Sequence, residues 1–263
     1  MATVVTAGIR FLHVPKTGGI WVTGAMFASG VAAWRPESLP FHADLADSRE
    51  YADRFTFAFV RHPLAFWRSY WGYRMREGWD PDSDLDRQAA SPDFEEFVNR
   101  VIEFAPGGAG ATFERFVGTT GDEIDFVGRH ERLADDLVAA LRSAGEGFDE
   151  SALRAHPHAN VSDYDKAPAI YTRRTAERLA ECERATIERF YPADPIPQRF
   201  LDEAYEPRLD PALLRGRVEQ LEVELRDTRA QLAIWRRAAL SDQALIAEQQ
   251  ARFEDAEERR RPR

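Results

Sequence analysis

A short apolar run that breaks into a proline, a lysine and two glycines, and then resumes as a helix, limits what this chain can be. Residues 9–14 (Ile-Arg-Phe-Leu-His-Val) form a compact stretch that predicts a buried strand ending at Pro15. Pro15-Lys16-Thr17-Gly18-Gly19 follows, and residues 20–29 carry the apolar face of a helix. Glycines let backbone N–H groups approach an anion closely, and a helix N-terminus adds partial positive charge. Lys16 supplies a mobile cation and Thr17 a hydroxyl donor. The GxxxxGK[ST] spacing of a Walker A loop is absent. Taken alone, the loop fits either an anion cradle or an ordinary turn with a surface lysine.

A second segment repeats the arrangement. Residues 55–60 (Phe-Thr-Phe-Ala-Phe-Val) predict a strand, Arg61-His62-Pro63 closes it, and an aromatic-rich helix follows over 64–76. A strand that delivers an arginine to its C-terminal end places it at the usual ligand crevice of an open α/β sheet. Arg61 can fork onto a phosphate, and Ser69, eight residues on, can donate to the same group. The competing assignment for Arg61 is an ion pair with a helix carboxylate. The rest alternates similarly. Residues 39–54 predict loop with a short helix, 78–92 a surface loop, and 93–103 a helix. A flexible break is expected at 107–112, a third strand at 124–127, and helices at 133–144 and 172–190 with a loop over 155–168. With 263 residues there is length for one α/β domain, assigned to 1–210, and an appendage over 211–263. Past Pro211, positions 218, 221, 225, 228, 232, 235, 239, 242 and 246 trace a heptad seam flawed at Thr228 and Asp242. It predicts a long helix, a coiled-coil extension whose apolar seam either forms homo-oligomers or packs back on its own domain.

Charge narrows the partners. Asp and Glu number 45 against 35 Lys and Arg, so a generic nucleic-acid surface is not expected. The lone cysteine, Cys182, allows no internal disulfide. No window of apolar residues is long enough to span a bilayer, and the first eight residues do not resemble a signal peptide. A cytoplasmic location is the expectation.

The two segments together resemble the 5′-phosphosulfate and 3′-phosphate motifs of sulfotransferases that use 3′-phosphoadenosine 5′-phosphosulfate (PAPS). The likeness is to the branch containing the heparan sulfate 2-O- and 6-O-sulfotransferases and related carbohydrate enzymes. Residues 125–133 (Asp-Phe-Val-Gly-Arg-His-Glu-Arg-Leu) resemble that branch's VGRxExL segment, and 157–162 (Pro-His-Ala-Asn-Val-Ser) its HxNxS loop. The four stand in the family order and span roughly residues 9 to 191. The resemblance implies a P-loop-like α/β three-layer sandwich around a central parallel sheet. It implies that Pro15, Lys16, Thr17, Gly18 and Gly19 hold the 5′-phosphosulfate, that Arg61 and Ser69 hold the 3′-phosphate, and that no metal takes part. Where the family carries a further arginine, this chain has Phe66 and Trp67, with Arg68 beside them. The expected acceptor is a hydroxyl, on a carbohydrate or glycoconjugate, and the expected product is PAP.

The acceptor must lose a proton to a base. Phe41-His42-Ala43-Asp44-Leu45 resembles the HAD stretch of the 6-O-sulfotransferases, which makes His42 the expected base, with Lys16 countering charge on the leaving group. A histidine in this position otherwise reads as an exposed loop residue. His13 is expected in the core, His62 turned away from the crevice, and His130 structural. His156, His158, Asn160 and Ser162 are further candidates for donor contact. His156 and His158 supply two metal ligands at most, without a third. Trp67 and Trp71 share a helical face and are expected to pack inside, whereas Trp79 is a candidate for the acceptor side. Two other functions fit parts of the chain: a kinase-like nucleotide phosphoryl transferase, and a non-catalytic coiled-coil scaffold.

Overall fold

The computed structural model describes residues 3–157, 169–202 and 226. The expected boundary at 210–211 and the helical extension beyond it lie outside these residues, except Arg226, which is helical. The described fold belongs to the first of two units into which the chain divides, Met1–Glu206 and Pro207–Arg263. It is an α/β fold with a four-stranded sheet in the order β1-β2-β3-β4. Along the chain run β1 (Val4–Val5), β2 (Ile9–Leu12), α1 (Gly19–Ala28), β3 (Phe55–Val60), α2 (Pro63–Glu77), α3 (Asp84–Ala89), α4 (Phe94–Phe104), α5 (Gly108–Val117) and β4 (Phe126–Arg129). Then follow α6 (Leu133–Ser143), α7 (Glu150–Ala155), α8 (Arg173–Cys182), α9 (Arg184–Phe190) and α10 (Gln198–Asp202).

Strands β2, β3 and β4 are parallel, and their registers pair Phe11 with Phe57 and Phe59 with Gly128. β1 departs from the expected parallel sheet: it pairs antiparallel with β2. The turn between them is short enough to force the reversal, and the Thr6 hydroxyl closes it by accepting the N–H groups of Gly8 and Ile9, each at 3.0 Å. Alternation along the strands splits the core in two. Ile9, Phe11, Phe57 and Phe59 face a cluster with α1, α6 and α7. Leu12, Ala58 and Val60 face a second cluster with α2, α4, α5, α8 and α9. Helices therefore cover both faces of the sheet, as parallel strands require.

Three expectations need correction. The 78–92 stretch is not merely a surface loop, because Ser83 caps α3 and brings Asp86 inside. The fully buried Asp86 carboxylate accepts the Tyr70 hydroxyl (2.5 Å), Arg74 Nε (2.7 Å) and the Asp80 N–H (2.8 Å). Residues 107–112 are no flexible break. Gly107, at φ +72°, starts α5 there, and Gly110 leaves room for the Thr186 side chain that a Cβ would overlap. The single helix expected over 172–190 is two helices, α8 and α9, with Glu183 between them.

Glu183 is 1% exposed. Its carboxylate accepts Trp67 Nε1–H (2.9 Å), the N–H groups of Ala109 (3.0 Å) and Gly110 (3.3 Å), and the Thr186 hydroxyl (3.4 Å). Burial pushes this carboxyl above its ordinary value, and the donors pull the other way. The side chain thus pins α8–α9 to α2 and to the first turn of α5. Glu183→Ala strands those buried donors, so denaturant titration is expected to show a loss of about 3 kcal/mol. A loss within error of zero would mean that water replaces the carboxylate without cost.

Candidate functional site

The parallel strands all deliver their C-terminal ends to one edge of the sheet. β2 runs out into His13 and the Lys16 loop, β3 into Arg61, and β4 into His130. A cleft of about 590 Å³ opens there. Pro15, Lys16, Gly18, Gly19, Arg61, Ser69 and His42 all line it, so residues far apart in sequence share one site. Thr17 is not among the lining residues. It is buried, and its hydroxyl donates to the Val14 carbonyl at 2.9 Å, which closes the turn from inside. Thr17 shapes the loop, and the expected hydroxyl contact with an anion is not part of this arrangement.

The loop is held in a conformation that favours close approach by a ligand. Lys16 sits at φ +64°, a left-handed conformation rare for a residue with a side chain. Arg61 Nη1 donates to the Lys16 carbonyl at 3.1 Å and braces that conformation. Gly18, at φ +88°, is the N-cap of α1, which has no side-chain cap and no acidic residue in its first turn. The partial positive charge of this helix end is therefore left to the cleft. By contrast, α2 is capped by His62, whose Nδ1 accepts the Leu64 N–H at 3.2 Å. Gly19 must be glycine because a Cβ there would overlap the His13 ring.

Four of the lining residues are cationic (Lys16, Arg61, Arg74 and Arg76), and one, Asp80, is a carboxylate. Arg74 and Arg76 also pair with carboxylates that do not line the cleft, Asp86 and Glu77, each at 2.7 Å, so it is the lining itself that is net positive in a chain whose net charge is −10. Lys16 Nζ lies 4.2 Å from the centre of the Tyr73 ring, with the guanidiniums of Arg74 and Arg76 at 5.3 and 5.8 Å from the same ring. Burial, followed by repulsion from Arg61, Arg76 and Arg74, lowers the Lys16 pKa to about 8. Nothing in the local sequence singles out Tyr73, Arg74 or Arg76. The available signal is helical spacing: Tyr73 and Arg76 stand four and seven residues beyond Ser69, on the same face of α2. The buried Asp86 holds Arg74 in place, so the unexpected helix α3 supports one wall of the cleft.

His42 lines the same cleft. Its Nδ1–H donates to the His13 carbonyl at 2.9 Å. A carbonyl only accepts, so this bond puts the neutral ring's proton on Nδ1 and its lone pair on Nε2. Burial lowers the His42 pKa, the hydrogen bond opposes that, and the Lys16 charge lowers it further. The residues after it are fastened down. The Thr3 hydroxyl donates to Ala43 O at 3.1 Å, and Asp44 accepts Arg115 Nη2 at 3.0 Å and the N–H groups of Ala46 and Asp47 at 2.9 and 3.1 Å. His42 is half-buried and held, unlike an exposed loop histidine.

The other candidates divide. His13 is buried and stacks near Phe11, as expected of a core residue, but it also lines the cleft and packs against His42 with ring centres 4.7 Å apart. His62 turns away as expected; it is buried, its Nε2 bonds Pro195 O at 3.3 Å, and burial lowers its pKa to about 4. His130, expected to be structural, lines the cleft beside Gly18. Glu131 ties this segment to the Arg61–His62 turn by accepting His62 N–H at 3.1 Å and the Tyr191 hydroxyl at 2.9 Å. His156 packs its ring over Gly24 of α1 and does not line the cleft, and neither does Arg68. His158, Asn160 and Ser162 lie outside the described residues. Trp67 and Trp71 are buried as expected, and Trp79 packs against Phe97 at 5.8 Å without lining the cleft.

Comparison with known proteins returned no matching family model, no matching curated sequence and no matching solved structure. Among the described residues, no helix is long and apolar enough to cross a membrane.

Proposed function

We propose that this chain is a sulfotransferase that moves the sulfuryl group of PAPS to an acceptor hydroxyl, on a carbohydrate or glycoconjugate. The observation that carries the reading is one cleft that combines a crowded cation cluster around Lys16 with a histidine whose lone-pair nitrogen is fixed. The α1 N-terminus, the Lys16 ammonium and its arginine neighbours suit a ligand carrying several negative charges. Lys16 and the N–H groups of residues 18–19 hold the 5′-phosphosulfate, while Arg61 and Ser69 hold the 3′-phosphate. His42 Nε2 takes the acceptor proton as the acceptor oxygen bonds to sulfur. The bond from sulfur to the bridging oxygen breaks, and Lys16 counters the charge that grows on that oxygen. PAP leaves with the electron pair. The helix-covered parallel sheet fits a P-loop-like sandwich, and the heptad seam past residue 211 fits a homo-oligomer in the cytoplasm.

Arg61 gives a direct test of the donor assignment. Arg61→Ala removes charge-assisted hydrogen bonds and the brace on the Lys16 carbonyl, so PAP affinity measured by calorimetry is expected to fall about 10–100-fold. Unchanged affinity would defeat the 3′-phosphate role. Incubation with labelled PAPS and a panel of hydroxyl acceptors, read by mass spectrometry, tests the reaction itself. Preference for ATP·Mg²⁺ over PAP would replace it with a phosphoryl transferase.

A further inference from the structure

Arginines stay protonated at any physiological pH, so Arg61, Arg74 and Arg76 are permanent cations. Lys16 is the one member of the cluster able to give up its proton and become a nucleophile. It is also one of only two lysines in the chain, the other being Lys166. Its surroundings favour the neutral amine: the side chain is largely buried and three guanidinium groups repel its charge, and these outweigh the opposing pull of Glu77 and bring its pKa to about 8. Its ammonium nitrogen stands over the Tyr73 ring, which two of those guanidiniums also approach. The cleft thus holds an amine prone to be neutral beside groups that bind planar anions of carboxylate shape.

An amine in such a place has a reaction open to it that needs only carbon dioxide. The ammonium first gives one proton to water, the freed Nζ lone pair forms a bond to the carbon of CO₂, one C=O electron pair moves onto oxygen, and the nitrogen loses a second proton to water. The product is a carbamate, and the side chain passes from one positive charge to one negative charge. We propose that Lys16 is a carbon dioxide modification site, where a reversible carbamate forms within the cleft, pairs with the neighbouring guanidiniums and shuts out an anionic ligand. The same arginines that disfavour the ammonium stabilise the carbamate, so both ends of the reaction gain from one cluster. Exclusion of the sulfuryl donor rests on the proposed function. The modification itself does not.

The test uses the full chain in ¹³C-bicarbonate buffer, observed by carbon NMR. Lys166→Arg is expected to keep the Lys16 carbamate resonance and Lys16→Arg to lose it, while a resonance from the α-amino group serves as the reference in both. Saturating PAP is expected to abolish the Lys16 resonance, and bicarbonate to slow transfer about two-fold or more by mass action. Should Lys16→Arg fail to fold, esterification of the carbamate in the unaltered chain and peptide mass spectrometry locate it, with the adduct expected on the peptide containing residue 16. No resonance assignable to Lys16, or no adduct on that peptide, overturns the proposal. A Lys16 carbamate that persists under saturating PAP supports the modification and overturns the donor-site assignment.

Discussion

Lys16→Met is expected to lower the rate of sulfuryl transfer about 10²–10³-fold, the scale of losing one preorganised group that stabilises developing charge. Two opposing effects act on ground-state binding. The variant loses one attraction for the 5′-phosphate, but it also relieves repulsion on Arg61, Arg76 and Arg74, the charges that lower the Lys16 pKa. PAP affinity should therefore fall much less than turnover. Rapid-quench transfer assays and PAP calorimetry separate the two quantities. Equal losses in both would make Lys16 a binding group without a special role in the transition state. Methionine keeps a long apolar stem over the Tyr73 ring, so the loop loses charge with little loss of packing.

His42→Gln is expected to cost about 10²–10⁴-fold in turnover while PAP affinity stays unchanged, because a base acts on the acceptor proton and not on the donor. The side-chain amide occupies the place of Nε2 with a neutral group that has no basic lone pair. Full turnover in this variant would remove His42 as the base. The pH profile of the unaltered protein gives a second measure. As the proposed base His42 works in its neutral form, so the rate is expected to rise with pH through its pKa, which lies below the ordinary histidine value. Lys16 works in its charged form, so the rate falls as pH passes about 8. The optimum lies between these limbs. In His42→Gln the acid limb is expected to vanish and the alkaline limb to stay. Survival of the acid limb would assign it to another group.

Much of this arrangement was legible in local sequence because local rules produce it. Residues 55–60 coincide with β3, since a run of aromatics alternating with small residues and bounded by Arg61 and Pro63 has few other fates. The loop at Pro15–Gly19 and the N-terminus of α1 follow from proline and glycine alone. The misreadings involve contacts between distant residues. Asp86 would be a surface acid in a loop, and it is buried only because Tyr70 and Arg74 on α2 receive it. Glu183 breaks a helix whose sequence reads as continuous, because its carboxylate serves the first turn of α5 more than seventy residues away. Thr17 faces inward because its hydroxyl donates to the Val14 carbonyl, three residues back in the same turn. Arg76 joins the cleft through the pitch of α2, a property visible only once Ser69 is taken as a reference on that helix, whereas Arg74 is held there by the buried Asp86.

The hydrogen bond from His42 to the His13 carbonyl ties the proposed base to the strand that leads into the Lys16 loop. Under the proposed function the base is consequently poised by the donor side of the cleft, whether or not an acceptor is present. Water that enters the acceptor's place meets the same oriented nitrogen as a sugar hydroxyl would. If the proposed function holds, the idle protein is expected to leak, releasing PAP and free sulfate slowly from PAPS in the absence of acceptor, with the leak lost in His42→Gln. A donor that stays intact for many turnover times without acceptor would mean that the base is set only by the acceptor's arrival.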